Sequence, residues 1–172
     1  MTRKASFPPV AGPDTRLLLL GSLPGEASLR AGRYYAHPQN QFWRLIGAVI
    51  GREDLHALDY AARLAALEAA GVGLWDVVAD AVRAGSLDGA IRDHRPNDLV
   101  ALIGTLPELR AIGFNGATAA RIGRKMVGQC DGLTLVDLPS SSPAHTIAYA
   151  QKRGSWLMLR HFLPSDRKSV RP

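Results

Sequence analysis

The chain of 172 residues contains a single cysteine, Cys130. One thiol cannot form an intramolecular disulfide, and neither a four-cysteine zinc site nor a four-cysteine iron-sulfur cluster can be assembled within one chain. Long apolar runs are missing too. None approaches the roughly 20 residues of a membrane span, and the opening "MTRKASFPPVAGPDTR" lacks the apolar centre of a secretion signal. The expectation is a cytoplasmic chain with no membrane partner. The first glycine loop matches neither G-x-x-x-x-G-K-[ST] nor G-x-G-x-x-G, which disfavours nucleotide triphosphate chemistry. Acidic residues are the minority, 15 against 21 basic, giving a net charge of +6 and a pI near 10.0. An excess of that sign attracts anions at long range, with nucleic acid the leading partner.

What is present suits one packed core: 47% of residues are apolar, in a chain about the size of one domain. We expect a single domain over residues 1–172, with its core at about 17–163, a short N-terminal arm and a basic tail, "SDRKSVRP". That tail is either a solvated end or a DNA contact, and no mechanistic role is assigned to it.

"RLLLLGSLPG" is a continuous apolar run ending in Gly and Pro, the pattern of a buried parallel strand delivering a loop, Gly21 to Gly25, at its carboxyl end. "NQFWRLIGAVIG" has helical apolar spacing, with Asn40 as a cap and Gly51 as a stop. "DYAARLAALEAAG" is a second helix, stopped at Gly71. "VGLWDVVADAV" suits a helix or an extended run equally, because periodicity does not separate them. "LRAIGFNG" and "LTLVDLPSSSPAH" are further strand-and-loop units, each followed by a helical stretch. Strands ending in polar loops before helices imply an α/β fold with a mostly parallel sheet, whose ligands bind beyond the carboxyl ends of the strands.

At those ends the polar groups allow more than one reading. Tyr34 and Tyr35 in "YYAHPQN" offer a ring to stack on a base, a contact worth on the order of 1 to 3 kcal/mol, or else they pack in the core or a lid. His37, held extended by Pro38, reads as a turn residue. Asn115 can present a donor and an acceptor to a base edge, or cap the helix that follows. The hydroxyls and N–H groups of "PSSSPAH" can meet phosphates, or form a polar surface loop. Ser22, His145 and Asp137 do not make a hydrolase triad, since no G-x-S-x-G elbow accompanies them.

Together, "GSLPG", "YYAHPQNQFW", "LWDVV", "GSLDGAIRD", "FNG" and "LPSSSPAH" resemble the uracil-DNA glycosylase superfamily from about Leu17 to Leu163. They most resemble its hypoxanthine-DNA glycosylase branch. Mismatch-specific uracil glycosylases share the "AHP" and "N-x-FW" elements but carry asparagine where Leu23 stands. Other branches open the last motif with histidine, where this chain has Leu138. The resemblance implies a three-layer α/β/α fold around a central four-stranded, mostly parallel sheet.

It also implies a monofunctional DNA glycosylase, acting as a monomer without metal or cofactor, that flips and hydrolytically excises hypoxanthine or uracil and leaves an abasic site for base-excision repair. Cleaving an N-glycosidic bond puts positive charge on the sugar and negative charge on the base, so positioned dipoles and water accelerate it. Leu23 cannot help with its side chain, and the resemblance assigns catalysis to Asn40, an amide that positions and polarises but is no general base. By the same resemblance Gly21, Ser22, Leu23, Tyr35 and Asn115 bind the base, Tyr35 by stacking and Asn115 by reading its edge. Ser140, Ser141, Ser142, Pro143 and His145 grip DNA and fill the gap left by the base, a step that must offset the few kcal/mol of flipping. His145 stands where the branch carries asparagine, beside the small Ala144, so no residue is named as the wedge. A non-catalytic binder of damaged or single-stranded DNA and a nucleoside or nucleotide hydrolase are the rival readings.

Overall fold

Residues 17–20 are four consecutive leucines, and a strand apolar on both faces belongs in the middle of a sheet covered on both sides. The computed structural model places it there. It describes residues 2–165, so all of the basic tail beyond Ser165 lies outside the described residues. In chain order the elements are β1 (Arg3–Ala5), β2 (Leu17–Gly21), α1 (Glu26–Ala31), α2 (Phe42–Val49), α3 (Tyr60–Ala70), β3 (Val72–Asp76), β4 (Val78–Val82), β5 (Arg92–Pro96), α4 (Leu99–Gly104), β6 (Ala111–Asn115), α5 (Ala117–Val127), β7 (Thr134–Leu138) and α6 (Tyr149–Leu157), with short 3₁₀ turns between some of them.

Four strands form a parallel sheet in the order β3-β2-β6-β7. Alternate leucines of β2 face opposite sides. Leu17 and Leu19 pack with Phe42 of α2, Leu67 of α3 and Trp156 of α6. Leu18 and Leu20 pack with Leu99 of α4 and Ile122 of α5. The layers are therefore helix, sheet, helix, as the resemblance implied. Register pairs Gly21 with Asp76, Leu20 with Phe114 and Asn115 with Leu138. The row Asp76, Gly21, Asn115, Leu138 thus crosses the carboxyl edge of the sheet. The chain leaves β2 toward β3 and leaves β6 toward β7, in opposite directions, so a crevice opens between their ends.

The structure settles the ambiguous stretch and adds a second sheet. Residues 72–82 are extended: β3 joins the parallel sheet, and β4 lies between β1 and β5 in a three-stranded antiparallel sheet. Pairing of β4 on both sides, and of β3 with β2 on one side and through a Val10–Leu74 bridge on the other, satisfies backbone groups that an isolated helix would have bonded internally. The N-terminal arm supplies β1, and the Trp75 indole Nε1 donates to Phe7 O at 2.9 Å. Asn40 is not the N-cap residue, since α2 begins at Phe42 and Gln41 takes that position. The Asn40 side chain nevertheless accepts from Phe42 N at 3.0 Å, which satisfies one donor of the first turn.

Packing of α5 on the sheet depends on Gly123. A β-carbon there would overlap the Phe114 ring and sit 3.1 Å from Val77 Cγ1. Gly154 of α6 has nothing within 4 Å of the same position among the described residues. Gly123→Ala is expected to lower stability by about 1 to 2 kcal/mol, crowding outweighing the gain in helix propensity. Gly154→Ala should raise it by about 0.5 to 1 kcal/mol. Urea denaturation of both variants checks the pair.

Candidate active site

A cavity of about 460 Å³ opens at the carboxyl edge of the parallel sheet. Its wall is formed by the loop after β2, the segment between α1 and α2, the β4–β5 connection, the end of β6 and the loop after β7. The sequence-derived candidates converge there: Gly21, Ser22 and Leu23 from the first loop, Tyr35 and Asn40 from the segment before α2, and Asn115 from β6. Ser140, Ser141, Ser142, Pro143 and His145 line it as well.

The first loop is held by what lies behind it. Strand pairing continues beyond β2, with Val77 N donating to Gly21 O at 2.8 Å and Val78 N to Ser22 O at 3.1 Å. Arg83, only 2% exposed, donates from Nη1 to Leu23 O at 3.2 Å, from Nη2 to Pro24 O and from Nε to Gly85 O at 3.0 Å. Burial pulls its guanidinium below the usual range, while Asp88, Glu26 and Asp76 oppose that shift. Leu23 packs with Leu18, Leu20 and Val77, so it serves the core more than the cavity. Ser22 Oγ donates to Asp88 Oδ1 at 2.6 Å. Burial raises the Asp88 carboxyl, against the bond from Ser22 and the charge of Arg83.

At the floor, Gly21 supplies no side chain and its neighbours need the space. A β-carbon there would lie 2.7 Å from Asp76 Oδ1 and 2.9 Å from Tyr35 OH. Asp76 ends β3 and is 3% exposed, and its Oδ2 has no hydrogen-bond partner among the described residues. Burial, then the neighbouring Asp88 charge, push its carboxyl up to about 7, with Arg83 pulling the other way. Tyr35 OH is likewise buried and unpartnered among the described residues. Burial first and the Asp76 charge second raise this phenol above its ordinary range. One face of the Tyr35 ring stacks on Phe42, centroids 3.8 Å apart at 15°, which leaves only the other face for a base. Tyr35 has φ +52°, a left-handed conformation that costs a non-glycine residue energy and is found at functional sites.

Asn115 does not cap α5, whose N-cap is Gly116. Its amide forms a reciprocal pair with the last loop: Nδ2 donates to Ser141 Oγ and Oδ1 accepts from Ser141 N, both at 2.9 Å. Its second amide N–H lies toward the Tyr35 phenol, whose rise above the ordinary range it opposes. The last loop is fixed from several sides, with Gln41 N donating to Ser141 O at 3.0 Å, Trp156 Nε1 to Pro139 O at 3.0 Å and the buried Lys152 Nζ to Ser142 O at 3.2 Å. Within it, Ser142 N donates to Ser140 Oγ and Ala144 N to Ser142 Oγ. Among the described residues no acceptor takes the hydroxyl protons of these serines, which leaves them for an anion. His37 is the expected turn residue, its Nδ1 accepting from Gln39 N at 3.1 Å.

Asp76, Arg83 and Asp88 carry no role in the sequence reading. Asp76 closes an apolar strand just as Asn115 does, and that position is the signal that would have found it.

Comparison with known proteins agrees with this architecture. The family model described as "Uracil DNA glycosylase superfamily" matches residues 8–162. A protein named Hypoxanthine DNA glycosylase from Methanosarcina barkeri is 38% identical over 154 residues, 90% of this chain and 96% of the relative. Another of that name, from Methanosarcina acetivorans, is 39% identical over 159 residues, 92% of this chain and 99% of the relative. A solution NMR structure of a candidate uracil DNA glycosylase from Methanosarcina acetivorans superposes with a TM-score of 0.83 at 38% identity, covering 94% of this chain and 99% of that one.

Proposed function

This chain belongs to the uracil-DNA glycosylase superfamily, and from that premise we propose that it is a monofunctional DNA glycosylase whose preferred base is hypoxanthine, with uracil second. The observation that carries the reading is the cavity floor. Two buried polar groups, Asp76 Oδ2 and Tyr35 OH, stand there without partners among the described residues, beside a residue that has no side chain. Buried polar groups are costly unless something bonds them, and a planar base with a ring N–H and a carbonyl supplies both kinds of partner. The names of the two curated relatives favour hypoxanthine over uracil.

In the reaction the C1′–N bond breaks with its electron pair going to the base, and water adds to C1′ while its proton passes to solvent. Asn40 Oδ1 is already engaged by Phe42 N, so its Nδ2 group is the part free to donate. We assign that donor to the charge growing on the departing base, the kind of preorganised dipole that works best where water is excluded. No lysine is among the residues lining the cavity, which supports hydrolysis without strand scission.

The test is release of free base from oligonucleotides carrying one deoxyinosine or one deoxyuridine, single- and double-stranded, in EDTA. Hypoxanthine release, with no borohydride-trapped protein–DNA adduct, is expected. DNA binding without release of either base would favour the non-catalytic binder. Turnover of deoxyinosine nucleoside that long DNA does not compete would favour the nucleoside hydrolase.

A further inference from the structure

Lysine is rarely buried, because an ammonium taken out of water loses its hydration unless an anion replaces it. Lys152 of α6 is 1% exposed and takes part in none of the ion pairs among the described residues. Its Nζ has one hydrogen-bond partner among them, Ser142 O at 3.2 Å, although an ammonium carries three donors. Burial alone pulls it below the usual lysine range, and no neighbouring carboxylate offsets that shift. Neither the hydrolysis nor the reading of the base uses this charge.

The surroundings show where the charge acts. Trp156 follows one turn later on the same face of α6, and its Nε1 donates to Pro139 O at 3.0 Å. The two side chains thus hold the carbonyls at either end of the run Pro139 to Ser142. Asn115 and Gln41 N hold Ser141 between them. A neutral indole suffices for Pro139 O, so bracing this loop does not by itself call for a cation. Ser142 O also accepts from His145 N at 3.1 Å, which closes the turn over Pro143 and Ala144. The ammonium therefore sits against a turn that lines the cavity, while Lys152 does not line it. A charge shielded from water by protein acts over a longer range than one at the surface.

We propose that the Lys152 ammonium is the buried counter-charge for a DNA phosphodiester bound on the cavity side of residues 140–145, acting through that loop without touching the DNA. The proposal rests on the glycosylase reading of the same cavity. Serine hydroxyls and backbone N–H groups meet the phosphate oxygens, and the lysine behind them supplies the full charge that neutral donors lack. The phosphate in turn gives the buried cation its anion. Lys152 is therefore a positioning residue, and the step it favours is binding, not bond cleavage.

The experiment measures binding of a duplex carrying one deoxyinosine, and of the same duplex with deoxyguanosine in its place, from about 50 to about 200 mM salt. Lys152→Met and Lys152→Gln both remove the charge, and the glutamine keeps a neutral donor for Ser142 O. Lys125→Met, at an exposed position in the last turn of α5 that does not line the cavity, controls for the change in net charge. Both Lys152 variants are expected to bind either duplex about tenfold more weakly at the lowest salt, with the slope of log affinity against log salt shallower by about 0.9, the share of one phosphate. Lys125→Met should keep the wild-type slope. Base release at saturating enzyme should change by no more than about twofold, because the loss falls on binding. Lys152→Met should melt no lower than the wild type, since an apolar chain replaces a desolvated charge. Wild-type affinity and slope in Lys152→Gln would overturn the proposal, because the hydrogen bond and not the charge would then matter. So would a loss equal at every salt concentration, the mark of a loop that has only lost a brace, or an equal change of slope in Lys125→Met. Should Lys152→Met fail to fold, Lys152→Gln carries the test. Binding is read without turnover, so the expected change of slope with no base released would remove the glycosylase reading and leave the counter-charge in place.

Discussion

Asn40→Ala is expected to lower hypoxanthine release by about 10²- to 10³-fold, the range found when one donor to a developing anion is removed from a preorganised site. Alanine also removes the bond to Phe42 N that satisfies the start of α2, a loss of about 1 kcal/mol in capping measurements. Activity must therefore be read at saturating enzyme and well below the melting transition. Asn40→Asp separates the two effects, because a carboxylate still accepts from Phe42 N but has no N–H to give. If the donor matters, Asn40→Asp is as inactive as Asn40→Ala while melting near the wild type. If Asn40→Asp keeps most of the activity, the side chain acts as an acceptor that orients water, and the assignment of its Nδ2 to the departing base is wrong. DNA binding by both variants should change little, since the loss falls on the transition state.

How far this site could be seen in advance depended on which interactions were local. Runs such as "RLLLLG" and "LRAIGFNG" announce buried strands because burial on both faces leaves no alternation to interpret, and each ends where chemistry is expected. Asn115 and the loop after β7 were therefore legible. Their reciprocal bonding was not: the Asn115–Ser141 pair joins residues 26 positions apart and depends on β6 and β7 being neighbours.

The same limit hid Asp76. In "VGLWDVVADAV" a helix and a strand predict different faces for the aspartate, and only pairing of β3 with β2 places it beside Gly21. Arg83 looked like one basic residue among many, yet long-range folding buries it against the carbonyls of the first loop. The antiparallel sheet leaves no signature in the sequence, because β1 has three residues and β5, "RDHRP", is exposed throughout, so neither carries an apolar pattern.

Asp76→Asn should make the protein more stable and change how its activity depends on pH. The sign follows from the carboxyl being pushed up from 3.8 to about 7 in the folded state. A raised folded value means that the protonated form is favoured by folding. Its contribution is complete below about pH 4 and is lost as pH climbs toward 7, above which the native state holds a buried charge whose Oδ2 has no partner among the described residues. About three units at 1.36 kcal/mol each bound the cost near 4 kcal/mol, so roughly 2 to 4 kcal/mol of stability should be gained by the neutral amide at pH 8. The gain should shrink steadily in urea melts at pH 6.5 and pH 5.

Activity separates the groups that face this carboxyl: Asp88 from the β4–β5 connection, Arg83 behind the first loop, and the phenols of Tyr34 and Tyr35. A neutral acid at position 76 can donate to a carbonyl, whereas a carboxylate can only accept, so wild-type kcat/KM for deoxyinosine is expected to fall above about pH 7. The amide both donates and accepts at every pH, so the profile of Asp76→Asn should flatten across that range. Parallel profiles for the two proteins would move the titration to Asp88, the other raised carboxyl at the floor. Asp88→Asn would then be the variant that flattens it, at the expense of the bond that Ser22 now donates.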